Sequence, residues 1–232
     1  MAIDIDDIYK ILENEIATLQ IDPGENLSEN LLCKRFQVSR TPVRSVLQRL
    51  EQNGFVHIIP HKGTIVTPIN LDIASQLIYQ RVAVETMVLR DFVKICSPTD
   101  EALIRYLLKQ MEEMAERADD PEAFDFNEFL QRDLNMHEVW FKATGKTYLW
   151  NRILTPHADY SRLIRLDIVG AKNVPDVIAD HQEMMRMIEE KDIGGIEALM
   201  SHHLYGGIRR LGEGLFSDEY KKYFLTPDQK EL

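Results

Sequence analysis

Apolar residues recur at three- and four-residue spacing over the first twenty positions: Ile5, Ile8, Leu12, Ile16 and Leu19. That period predicts an amphipathic helix, ended by Asp22-Pro23-Gly24. Ser28 stands where a cap would open a short second helix, with Leu31, Leu32 and Phe36 as its apolar face. After Gln37-Val38, Ser39 caps a third helix. Pro42 falls in its first turn, where a missing N–H costs no helical bond. Val43, Val46, Leu47 and Leu50 form the buried face, and Asn53-Gly54 stops the helix. The period then changes. Phe55–Ile59 and Thr64–Thr67 are rich in β-branched residues around a Pro60-His61-Lys62-Gly63 turn, which predicts a β-hairpin.

Three helices and a hairpin outline a winged helix-turn-helix, assigned here to residues 1–69. Pro68-Ile69-Asn70 opens a connection, and the remaining pattern is helical. Expected spans are 71–96, 98–118, 121–144, 147–169, 174–191 and 193–214, with a short one at 217–225. Ser97-Pro98, Asp120-Pro121, Thr144-Gly145, Asn173-Val174-Pro175 and Gly194-Gly195 separate them. The fold class is therefore mainly α: an N-terminal winged helix-turn-helix, then an antiparallel all-α bundle of six to seven helices over 70–232.

Charge changes this picture in one respect. The chain carries 27 Lys+Arg against 38 Asp+Glu, a net charge of −11, which excludes a basic coat protein or a polybasic membrane binder. The acid is unevenly spread. Residues 34–62 hold six bases and one acid, whereas 71–232 hold 20 bases and 29 acids. The two parts therefore face different partners. Two distant cysteines, Cys33 and Cys96, argue against a disulfide framework, and no apolar run approaches the length of a membrane span. A cytoplasmic location and no membrane partner are expected.

In the basic stretch, Arg40, Arg44 and Gln48 share one face of the third helix, opposite the Val43/Leu47/Leu50 face. Arginine can bond guanine O6 and N7 through its planar fork, and it also binds phosphate. The Ser39 and Thr41 hydroxyls suit phosphate oxygens at the helix start. His61 and Lys62 at the hairpin tip can reach a minor groove or a neighbouring phosphate. A solvated helix face would carry the same charges. The helix-turn-helix and wing around them favour DNA.

The acidic half contains Asp133 and His137 at i, i+4, on one helical face, followed by His181 and His203 on later helices. The Gly194-Gly195 break allows the last two helices to fold back on one another. One carboxylate and three imidazoles suit zinc, nickel, manganese or iron. From spacing alone, surface or hydrogen-bonded core histidines fit equally well. His202 must point away from its neighbour His203.

The run PGENLSENLLCKRFQVSRTPVRSVLQRLEQNGFVHIIPHKGTIV resembles the winged-helix domain of GntR-type transcriptional repressors over residues 8–68. The likeness implies that Arg40, Thr41 and Arg44 enter the major groove, with Ser39, Lys62 and Gly63 on the backbone or minor groove. Ser45-Val46 departs from the Glu-Ala common in the family. Residues 72–215 resemble the FCD (FadR C-terminal domain) effector-binding domain of one GntR branch. The matching pieces are Tyr79-Gln80-Arg81-Val82 with Glu85, Asp133 to His137, His181-Gln182-Glu183-Met184 with Asp192, and His203-Leu204. Gly145-Lys146 replaces the family's usual Gly-Asn. This likeness implies a divalent metal, zinc first, on Asp133, His137, His181 and His203. It also implies a small organic acid beside the metal, with Arg81 as the arginine that receives it. Tyr160 and Arg162 are further effector candidates.

The expected function is a transcriptional regulator, a repressor rather than an enzyme. It would act as a homodimer on palindromic double-stranded operator DNA, controlled by the acid and the metal. The rivals are a metal-dependent enzyme and a regulator whose metal is purely structural.

Overall fold

The computed structural model describes residues 3–120, 123–155, 157–170, 173–218 and 220–225. The helices are α1 (Ile5–Ala17), α2 (Glu29–Phe36), α3 (Arg40–Gln52), α4 (Leu71–Ile95), α5 (Pro98–Ala115), α6 (Phe126–Ala143), α7 (Thr147–Ile153), α8 (Ala158–Arg165), α9 (Val174–Glu190), α10 (Ile196–Leu204) and α11 (Gly206–Leu211). The strands are β1 (Val56–Ile59) and β2 (Gly63–Val66), paired antiparallel with Val56 opposite Val66. The mainly helical class with a two-stranded wing follows the apolar periods along the chain. Among the described residues no helix is long and apolar enough to cross a membrane.

The chain divides into two compact units. One comprises Met1–Ala74, Pro156–Arg165 and Gly212–Leu232; the other comprises Ser75–Thr155 and Leu166–Leu211. The division is therefore not a single cut near residue 70.

In the first unit, Ile8, Leu12 and Ile16 of α1 pack with Leu32 and Phe36 of α2, Val43, Val46, Leu47 and Leu50 of α3, and Phe55, Val56 and Val66 of the hairpin. Three positions of the sequence stripes lie outside this core. Leu19 falls beyond the end of α1, at φ 58°. Leu31 is 65% exposed, because α2 is short and shows the core only Leu32 and Phe36. Ile5, in the first turn of α1, is 42% exposed. Ser28 and Ser39 occupy the cap positions of α2 and α3, but neither side chain makes a capping hydrogen bond. The hairpin gains a third edge: Leu27 N–H donates to Thr64 O at 2.7 Å, and Val66 N–H donates to Glu25 O at 2.9 Å.

The expected 147–169 helix is broken into α7, α8 and a π turn at Leu166–Gly170. Thr155-Pro156 supplies the breaker, since the residue before proline is disfavoured in helical conformation. Ala158 of α8 then joins the core of the first unit. The expected 193–214 helix divides at Tyr205 into α10 and α11. Among the described residues of the 217–225 span there is a short 3-10 turn (Lys221–Tyr223), followed by an extended Phe224. The Asp120-Pro121 boundary falls partly outside the described residues.

Two segments distant in sequence grip the connection after the wing. Ile69 N–H donates to Tyr223 O at 2.7 Å, and Leu225 N–H donates to Ile69 O at 2.8 Å. From α8, Asp159 Oδ1 accepts from Asn70 N–H at 2.7 Å. Arg162, fully buried, donates through its guanidinium to the carbonyl and hydroxyl of Thr67 and to Ala158 O. Burial lowers its guanidinium pKa to about 10 against the opposing pull of Asp159. Arg162→Ala leaves the Thr67 carbonyl without this donor and Asp159 without its ion pair. The expected cost is about 2–3 kcal/mol, from charge-assisted bonds of about 1.5–3 kcal/mol each. Calorimetry checks this as a melting midpoint lowered by about 4–12 °C. An unchanged midpoint would contradict the assigned role.

Candidate functional site

The first unit presents a basic helix. Ser39, Arg40, Thr41, Arg44 and Gln48 are all exposed on α3, while Val43, Val46, Leu47 and Leu50 face inward. Arg40 donates to Asn30 Oδ1 at 3.0 Å, and Arg44 Nε pairs with Glu29 at 3.0 Å. Both contacts come from α2 and hold the guanidinium groups near the helix surface. Two other bases are committed elsewhere. Arg35 pairs with Glu15, and Arg49 pairs with Asp6 at 2.6 Å while lying over the Tyr9 ring. The unpaired positive charge of this stretch is thus smaller than six bases suggest.

His61, Lys62 and Gly63 are exposed at the wing tip. Gly63 has φ +119°, and a Cβ there would stand 2.7 Å from Asn26 Nδ2. Both the backbone and the close approach therefore require glycine. His61 is left-handed as well, at φ 63°. Together they fold the chain back so that the Lys62 side chain lies at the tip.

In the second unit, α6 carries Asp133 and His137, α9 carries His181 and α10 carries His203. One ligand atom from each lies within 4.8 Å of the others. The i, i+4 spacing puts the first two on one face. Lys191, at φ 56°, ends α9, and the Gly194-Gly195 segment leads into α10. His137 and His181 are fully buried, and the His203 side chain is 7% exposed. His137 packs against Trp140 with ring centroids 4.5 Å apart.

Each imidazole has its Nδ1 engaged by the protein. His137 Nδ1 is 2.5 Å from Glu85 Oε2, His181 Nδ1 is 2.7 Å from Val177 O, and His203 Nδ1 is 3.3 Å from Asp180 Oδ2. An Nδ1–H donated to an oxygen leaves Nε2 with its lone pair free. The His137 and His181 Nε2 atoms are buried without a hydrogen-bond partner. His181 Nε2 stands 3.1 Å from Asp133 Oδ1, an ionic contact lacking hydrogen-bond alignment. His203 Nε2 is 3.9 Å from the same oxygen. Three nitrogen donors and one carboxylate therefore surround one point, and the set fits a divalent transition ion.

The cluster's groups also act on one another electrostatically. Burial alone would raise the Asp133 carboxyl pKa, but the His181, His137 and His203 rings hold it far below the usual range. Glu85 is likewise desolvated, yet Arg81 and His137 hold it at about 2. Burial lowers the pKa of His203 to about 4, with Asp180 opposing and the other two histidines assisting. His181 moves the other way: Asp133 and the Val177 carbonyl outweigh its burial penalty.

The remaining candidates divide. Arg81 on α4 is buried, and its Nε donates to Glu85 Oε1 at 2.5 Å, so it reaches the cluster through Glu85. Arg162 and Tyr160 lie on α8, in the first unit. The histidine cluster belongs to the second unit, so the structure does not bring these two residues together with it in one unit. The Arg162 guanidinium is already occupied by Thr67, Ala158 and Asp159. Glu85 and Asp180 are the residues whose bonds to the histidines sequence reasoning missed. For Glu85 the signals were its place among the FCD-like pieces and its spacing from Arg81. For Asp180 the signal was adjacency to His181.

Residues 5–66 match the family described as bacterial regulatory proteins, gntR family, and residues 76–206 match the FCD domain. The chain belongs to the FCD branch of the GntR family. This GntR regulator is 27% identical to the HTH-type transcriptional repressor RspR of Escherichia coli (strain K12), over 85% of the chain and 84% of the relative. It is also 27% identical to the gluconate operon transcriptional repressor of Bacillus subtilis (strain 168), over 84% and 77%. The solved structure of E. coli McbR/YncC shares the fold, with a TM-score of 0.68 at 17% identity, covering 91% of this chain and 99% of that one. The family and these relatives are regulators of transcription, not enzymes. The chain is accordingly a DNA-binding transcriptional regulator.

Proposed function

We propose that this GntR regulator is a repressor controlled by a small organic acid bound beside a divalent metal in the second unit. The observation that carries this reading is the arrangement of three imidazoles with Nδ1 engaged, gathered with Asp133 so that one ligand atom of each lies within 4.8 Å of the others. A bound divalent ion would supply a Lewis-acidic position for a carboxylate oxygen. Asp133, His137, His181 and His203 would hold it, and the neighbouring aromatic rings would exclude water. Arg81 brings positive charge to the same region. The relatives named as repressors support the direction of regulation, and one of them concerns an operon for gluconate, itself a small carboxylic acid.

In this reading two chains pair, and their α3 helices enter successive major grooves of a palindromic operator. Ser39, Arg40, Thr41, Arg44 and Gln48 face the DNA, with His61, Lys62 and Gly63 at the wing. The acid controls the regulator only by binding the DNA-competent and incompetent states with unequal affinity.

A second reading has a specific observation behind it. Four protein ligands fill a tetrahedral zinc shell, which describes a structural ion. A six-coordinate ion would leave two positions for the acid. Elemental analysis and a thermal-shift screen of small carboxylic acids separate the two. The proposal predicts one ion per chain, lost in His181→Ala, and acids that raise the melting midpoint only while the ion is present. An ion without any acid effect would favour the structural reading. A protein without an ion would overturn both.

A further inference from the structure

Glu85 lies outside the group of four ligand residues, yet it is the most completely enclosed carboxylate near them. It is fully buried, and both oxygens are in use: Oε1 accepts from Arg81 Nε and Oε2 stands at His137 Nδ1, each at 2.5 Å. We propose that Glu85 is the positioning residue of the centre, fixing the His137 proton on Nδ1 and thereby making Nε2 the ligand atom. The inference rests on the metal reading above.

An ionised carboxylate only accepts hydrogen bonds, so the atom facing Oε2 must be an N–H. Neutral imidazole carries one N–H. If Nδ1 has it, Nε2 holds a lone pair, and that is the buried, unpartnered atom. His181 reaches the same tautomer through a backbone carbonyl, which any sequence would provide. His137 depends on a side chain from another helix, 52 residues earlier. Arg81 holds the other oxygen of that carboxylate and so fixes its orientation. The arginine therefore bears on the centre through Glu85, and a carboxylate drawn to Arg81 would compete with the group that aims His137.

Glutamine at this position makes a sharp test, because it has nearly the same shape but only one acceptor oxygen. Arg81 Nε claims that oxygen, which turns the amide NH2 toward His137 Nδ1. The imidazole proton then moves to Nε2 and blocks the ligand atom. Binding of Zn2+ alone, measured by competition with a chromophoric chelator, should be about ten- to a hundredfold weaker in Glu85→Gln than in wild type. In the metal-free wild-type protein, imidazole 15N shifts should show His137 as the Nδ1–H tautomer. In folded Glu85→Gln they should show Nε2–H. A role in packing alone would not move the tautomer.

Wild-type binding with an unweakened Glu85→Gln would overturn the inference and leave the metal reading standing. Wild-type protein that takes up no Zn2+ would overturn the metal reading and the inference with it. If Glu85→Gln does not fold, the wild-type spectrum still decides, because an Nε2–H signal for His137 there contradicts the proposal.

Discussion

Removing the divalent ion from the purified regulator is expected to lower its melting midpoint by about 8–16 °C. A ligand present at a thousandfold excess over its dissociation constant stabilises the native state by about 4 kcal/mol. In a chain of this size each kcal/mol moves the midpoint by about 2–4 °C. Asp133 and His137 sit on α6, His181 on α9 and His203 on α10, so one ion held by all four would cross-link three helices. Without it, a carboxylate and three imidazoles remain buried together, and two Nε2 atoms have no hydrogen-bond partner. Such groups are costly to hold away from water. Differential scanning calorimetry before and after chelation, with re-addition of Zn2+, reads the effect. A midpoint indifferent to chelation and to re-addition would contradict it. Asp133→Ala should behave as the chelated protein and gain nothing from added Zn2+.

The second large effect is on DNA. The double substitution Arg40→Ala/Arg44→Ala should weaken specific operator binding by about 2–6 kcal/mol, taking about 1–3 kcal/mol for each base-reading arginine. Binding to random duplex should fall much less. Both side chains are exposed one turn apart on α3, held near the surface by Asn30 and Glu29. Neither belongs to the core, so the melting midpoint should hardly move. Electrophoretic mobility shifts on operator and random duplex at one salt concentration separate the outcomes. Equal losses on both would make the arginines phosphate contacts. The salt dependence should also be milder than six bases imply, because Arg35 and Arg49 are paired with acids of α1.

Much of this architecture was legible because local periods carry it. The α1 and α3 stripes, the switch to β-branched residues at Phe55 and the turn at Gly63 each follow from a few neighbouring residues. The same holds for Asp133 and His137, whose i, i+4 spacing alone puts them on one face. Convergence of His181 and His203 on that face needed only a helical hairpin, and Gly194-Gly195 supplied the break. What stayed hidden depends on partners distant in sequence. Nothing in the 147–169 pattern shows that α8 grips Thr67 and Asn70, with the Arg162 guanidinium on the Thr67 carbonyl and hydroxyl. An arginine that binds a ligand and one that binds a backbone carbonyl look alike in sequence. Asp180 and Glu85 were hidden for the same reason. Their importance lies in which histidine nitrogen they touch, and only the packing of α4, α6, α9 and α10 decides that.

The metal–carboxylate control of DNA binding is tested most directly by one titration. Fluorescence anisotropy of a labelled operator duplex is followed at fixed salt, with metal-loaded and metal-stripped protein, across a panel of small carboxylic acids. The account predicts that at least one acid releases the metal-loaded protein from the operator and leaves the stripped protein unaffected. Operator binding that ignores every acid, with and without the ion, would contradict it.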